Sequence, residues 1–136
     1  MTSMAVDNER YLGISEVAKS TGFSVDTLRW YEREKLFRRV ERDSSRRRRY
    51  SPRDVALLRT LARLRRTGMP TKEIREFTRL VTEGAATHGQ RLALLAAHRE
   101  RIVARLAELQ DDLAGLEKKI EHYRYLIEQG LDCDAP

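Results

Sequence analysis

The stretch ISEVAKSTGFSVDTLRWYE, residues 14–32, holds the positions that two short crossing helices require. Ile14, Val17, Ala18 and Phe23 recur at helical spacing, Ser15 stands as an N-cap and Gly22 as a stop, which predicts a first helix over about Ser15 to Thr21. Ser24 caps a second helix with Asp26 in its first turn and Val25, Leu28 and, as one option, Tyr31 on its inner face, running to about Lys35. Ala18 is small where the two helices approach, and Gly22 can take the left-handed turn between them. Val17, Phe23, Val25 and Leu28 then lock the pair, leaving Ser24, Asp26, Thr27 and Arg29 pointing outward. The pattern is that of a helix-turn-helix, whose outward residues face a major groove or its rim.

Helical periodicity fails over Phe37 to Tyr50, where a polar Asp43-Ser44-Ser45 cluster separates Arg38-Arg39-Val40 from Arg47-Arg48-Arg49-Tyr50; a hairpin with a charged tip fits best. Ser51-Pro52 opens a third helix to Gly68, and Pro70-Thr71 a fourth, with Ile74, Phe77, Leu80 and Val81 on one face, to Gly84. Residues 84–89 read as a linker. Positions 92, 95, 99, 102, 106, 109, 113, 116, 120, 123 and 127 then alternate steps of three and four, and all but Arg99 are apolar. Leu95, Ile102, Leu106, Leu109, Leu113, Leu116, Ile120, Tyr123 and Ile127 thus form one seam on a helix of about forty residues, about 60 Å long at 1.5 Å per residue. The chain contains no second long helix to cover it. The expected partner is a second copy in a homodimeric coiled coil, with a monomeric helical hairpin as the alternative.

The 136 residues exclude a large multi-domain enzyme. Net charge is +6, yet Arg29 to Arg66 alone carry fifteen bases and five acids, so both flanks are acidic. The run Arg46-Arg47-Arg48-Arg49 is the densest point, with Trp30 and Tyr31 at the start of the basic window and Tyr50 closing the run. Embedded in foldable sequence, it reads as phosphate contact; a solvated surface or a targeting signal is the bland alternative. No nucleophile with a base and no glycine-rich phosphate loop is apparent, so an enzyme is not expected. One cysteine, no signal-like N-terminus and no span-length apolar window predict a reducing, cytoplasmic setting and no membrane. His88, His98, His122, Asp132 and Asp134 fall into no recognised ligand spacing, so neither metal nor cofactor is expected. Cys133 is a candidate redox thiol, although nothing nearby in sequence is basic enough to activate it.

The order of helix-turn-helix, Leu28-Arg29-Trp30-Tyr31-Glu32, hairpin, Arg48-Arg49-Tyr50-Ser51, Asp54-Val55, Thr67-Gly68-Met69-Pro70, Glu73-Ile74 and long helix resembles the MerR-type transcription regulators over about residues 12–128. The resemblance implies a mainly α fold: a winged helix-turn-helix, an added helix pair and a long C-terminal helix forming an antiparallel dimer. It implies double-stranded DNA as partner, a pseudopalindromic operator, and an inducer that makes the dimer distort the promoter so that RNA polymerase engages it. Matching positions put Ser24 and Thr27 near bases or phosphates, Arg29 and Tyr31 on the backbone, and Arg48, Arg49 and Tyr50 in or under the wing. Trp30 either meets phosphate through its N–H or packs between helix and wing.

The chain departs from the family pattern at Lys35 (usually Gly), Arg39 (usually Pro) and Arg46-Arg47 (usually Gly-Tyr). The added charge predicts tighter, more salt-sensitive and less base-specific contact. The expected domains are a loose N-terminus (1–10), a DNA-binding domain (11–84), a dimerisation helix (89–130) and a tail (131–136). No separate sensor domain fits after residue 130, and the effector is unknown; a small molecule would best fit the dimer interface near Tyr123 and Tyr125. A nonspecific architectural nucleic-acid binder is the alternative function.

Overall fold

The computed structural model describes residues 10–38 and 40–130. Helix α1 (Ile14–Thr21) starts one residue before the expected Ser15 cap, because the Gly13 carbonyl already accepts the Val17 N–H at 3.0 Å and Gly13 itself, in extended conformation, is the N-cap. Gly22 ends it at φ +86°, in the left-handed region that a side chain would resist. Helix α2 (Val25–Arg33) has Ser24 as N-cap, its hydroxyl accepting the Thr27 N–H at 3.0 Å. It stops two residues short of Lys35, since the Tyr31 carbonyl takes the N–H groups of both Leu36 and Phe37 and folds the chain back; Lys35 sits at φ +59° in that reversal.

The hairpin is short. Strand β1 (Glu41–Arg42) pairs antiparallel with β2 (Arg48–Arg49) in the register Glu41↔Arg49 and Arg42↔Arg48. The Asp43 carboxylate holds the tip by accepting the Ser45 and Arg47 N–H groups at 2.8 and 3.0 Å, and Arg46 takes φ +63°. An added feature is the bridge Leu12↔Tyr50, whose two backbone hydrogen bonds of 2.9 and 2.8 Å tie the start of the fold to the foot of the wing.

Helix α3 (Pro52–Arg66) opens on a capping box in which Ser51 accepts the Asp54 N–H and Asp54 accepts the Ser51 N–H. Helix α4 (Thr71–Glu83) follows. The expected linker is ordered: Gly84 turns at φ +94°, Ala85–Thr87 form a 3-10 turn, and the buried Thr87 hydroxyl donates to the Leu80 carbonyl at 2.6 Å. Helix α5 (His88–Gln129) therefore begins without a flexible joint and runs 42 residues.

The chain divides into two compact units at Leu95/Ala96. In the first, Val17, Leu28, Leu36, Leu58, Leu61 and Ile74 are at most 2% exposed and form the centre of one core reaching from α1 to α4. Each such side chain contributes roughly 2 kcal/mol by leaving water. In the second, Leu106, Leu109, Leu113, Leu116, Ile120 and Ile127 are 49–76% exposed among the described residues, so most of the apolar seam is open. No helix among the described residues is long and apolar enough to cross a membrane.

Candidate nucleic-acid interface

Capping fixes the exposed face of α2. With the Ser24 hydroxyl bound to the Thr27 N–H and lying 2.8 Å from the Thr27 hydroxyl, the first turn is rigid and Asp26, Arg29 and Trp30 stand outward from it. Arg29 reaches Asp26 only loosely, at 3.7 Å, and its side chain is half exposed, so the guanidinium is available to a stronger acceptor. A groove of about 380 Å³ brings Arg29 together with Gly13, Ser15 and Glu16 of the α1 start and with Arg42, Arg46, Arg47 and Arg48 of the wing. Four elements thus converge there, and five of the groove's nine residues are arginine.

Trp30 lies away from the wing. It is 38% exposed, meets Tyr31 edge-on at 5.7 Å and lines a depression with Asp26, Thr27, Arg33 and Arg65, so packing between helix and wing is not its role. That depression carries two cations, Arg33 and Arg65, and one acid, Asp26.

Tyr31, expected on the DNA backbone, and Tyr50, expected in or under the wing, are core residues at 2% and 1% exposure. Tyr31 packs on Phe23 at 4.8 Å, on the inner face of α2, and Tyr50 on Phe37 at 6.4 Å under the wing, which gives both rings a structural task. Burial pushes the Tyr50 hydroxyl up to about 12, against the opposing charge of Arg48; burial likewise raises Tyr31 against that of Arg65. Arg46 and Arg47 are exposed at the tip. Arg49 covers the Tyr11 ring at 4.5 Å, fixing the outer side of the wing by a cation–π contact.

Arg48 is half-buried and turned to Glu32, its Nε donating to Oε1 at 2.7 Å. The same carboxylate accepts the Val40 N–H at 3.1 Å and faces Arg42 at 3.8 Å. Burial alone pushes Glu32 up, but the Arg48 and Val40 hydrogen bonds and the charges of Arg48 and Arg42 outweigh it and hold the carboxyl below the usual range. One side chain of α2 thereby clamps the wing. A second ion pair secures the wing base: Arg38 donates through Nε and Nη2 to Asp54 at 2.9 and 2.8 Å, and Asp54 is also the N3 member of the α3 capping box. Sequence reasoning missed Glu32, Arg42 and Arg65, because their roles depend on partners across elements and not on spacing.

Cys133 lies outside the described residues. Among the described residues no three His, Cys, Asp or Glu side chains are grouped so as to hold a metal ion.

Residues 12–80 match the family described as MerR HTH family regulatory protein, and residues 55–123 the family described as MerR, DNA binding. The chain belongs to the MerR family. It is 34% identical over 110 residues to an uncharacterized HTH-type transcriptional regulator of Haemophilus influenzae, covering 81% of this chain and 82% of that one. With the HTH-type transcriptional regulator AdhR of Bacillus subtilis it shares 35% over 92 residues, 68% and 66% of the two chains. The structure of HiNmlR, a MerR family regulator lacking the sensor domain, bound to promoter DNA, superposes with a TM-score of 0.82 at 31% identity, covering 90% of this chain and 92% of that one. This MerR chain is accordingly a DNA-binding transcription regulator with a winged helix-turn-helix. Its family is one of regulators, not enzymes.

Proposed function

We propose that two copies of this chain bind a pseudopalindromic promoter operator and regulate transcription by distorting the DNA between its half-sites, so that RNA polymerase engages the promoter. Residues 11–84 act as the DNA-binding part, with Ser24, Thr27, Arg29 and Trp30 toward bases and phosphates and Arg46 and Arg47 at the wing tip on the backbone. Residues 89–130 join the copies through the Leu95-to-Ile127 seam as an antiparallel coiled coil. The observation that carries the DNA part is the convergence of α1, Arg29 and the wing on one arginine-lined groove. The exposed seam carries the dimer, since nine apolar positions on one helix find cover most simply in an identical helix. A copy related by twofold symmetry reads an inverted repeat.

The Arg29→Ala variant tests the assignment. It should keep its circular-dichroism melt, because Arg29 has only a loose exposed partner, and lose at least about tenfold in affinity for an operator duplex selected from random sequence, the weight of one charge-assisted contact. Unchanged affinity would remove Arg29 from the interface.

A further inference from the structure

A second concavity lies where the end of α2, the base of the wing and α4 meet. Its volume is about 860 Å³, and of its twelve lining residues seven are Arg or Lys while two, Glu32 and Glu83, are acids. Small-molecule sites run from about 300 to 1,000 Å³. The seven cations are unequal. Arg38 is committed to Asp54, Arg42 and Arg48 to Glu32, and Arg79 to Glu76 and Glu83. Arg33 and Lys35 have no ion pair or side-chain hydrogen bond among the described residues, and Arg75 donates only to a neutral acceptor, the Glu34 carbonyl, at 3.2 and 3.4 Å. Three uncompensated positive charges therefore border one cavity.

Lys35 adds an independent observation. It holds φ +59°, a conformation that costs an L-residue about 1 kcal/mol and glycine nothing. A cation at a strained position, on the rim of a cavity that already concentrates like charge, suits something negative that binds there. The lining also includes Phe37 and, from α4, Thr78 and Thr82, beside the long apolar stems of the arginines.

We propose that this cavity binds a small organic anion: a carboxylate, sulfonate or phosphate head held by Arg33, Lys35 and Arg75, with an apolar body lying toward Phe37 and α4. Arg42 and Arg48 line both this cavity and the groove assigned to DNA, so an occupant on one side shifts the charge available on the other. That coupling, unlike the site itself, rests on the DNA-binding reading, and it is reciprocal.

Calorimetric titration of the full-length chain with dodecanoate, without DNA, tests the site. The expected result is saturable binding of one molecule per chain, no comparable binding of dodecyltrimethylammonium, and affinity at least tenfold weaker in the Lys35→Gln/Arg75→Gln variant, whose melt should match the parent. Amide chemical-shift changes at Lys35, Arg75 and Thr78 on titration of the parent locate the ligand independently of any variant. Several results overturn the proposal: no saturable binding, as when a second copy fills the cavity; equal binding of the cationic amphiphile; or unchanged affinity in the variant. So does a loss of duplex affinity with a smaller salt slope in the variant, which would assign the cavity to the DNA backbone. Operator titration with and without saturating dodecanoate should differ by at least threefold; identical affinities overturn the coupling. A chain that binds dodecanoate and no duplex overturns the DNA reading alone.

Discussion

Tyr50 and Glu32 show how single side chains hold the wing from beneath. The Tyr50 hydroxyl is buried with no hydrogen-bond partner among the described residues, a costly state for a polar group. Tyr50→Phe removes that oxygen and keeps the ring on Phe37, so thermal stability should stay level or rise by about 1 kcal/mol while operator affinity is unchanged; loss of affinity would return Tyr50 to the interface. Glu32 acts in the opposite sense. Its carboxyl is held below the ordinary value near 4.3, so its ionised form stabilises the fold above that pH, and the contribution is lost as pH falls through the depressed folded value. Glu32→Gln should therefore lower stability at pH 7 by about 1–2 kcal/mol and lose progressively less against the parent as pH approaches 3. Urea melts across that range measure it, and a gap of constant size would contradict the clamp.

Among the elements, the wing depends most on contacts that its own sequence does not announce. The charged tip and the hairpin were legible over Phe37 to Tyr50, because the periodicity breaks and Asp43-Ser44-Ser45 supplies turn chemistry. The Leu12 bridge and the ion pairs to Glu32 and Asp54 were not, since each joins residues 16 or more apart in sequence, and neither were the two-residue strands, too short to show a period. Helix caps that depend on one local side chain, Ser24 and Ser51, were readable; the α1 start was not, because there the cap is a Gly13 backbone group. The seam on α5 was readable over its whole length, being periodic. Arg46 and Arg47 are exposed while Arg48 is committed to Glu32, so the phosphate contact proposed for the wing belongs to its tip. Arg46→Gln/Arg47→Gln should lessen the slope of log affinity against log salt by about two per chain, uniformly across duplex sequences. An unaltered slope would place the tip off the DNA.

At the scale of the whole molecule, a net charge of +6 conceals a basic window confined to residues 29–66 and a 42-residue helix whose apolar seam is largely exposed among the described residues. The first feature needs a polyanion and the second needs another helix. A dimer on DNA satisfies both, and twofold symmetry then makes a definite demand on the DNA: two inverted copies of one half-site at fixed spacing. Selection of duplexes from a random-sequence pool by the full-length chain at moderate salt measures this directly. The account predicts enrichment of an inverted repeat bound by two chains; a pool that stays random, or a lone asymmetric half-site bound by one chain, would contradict it.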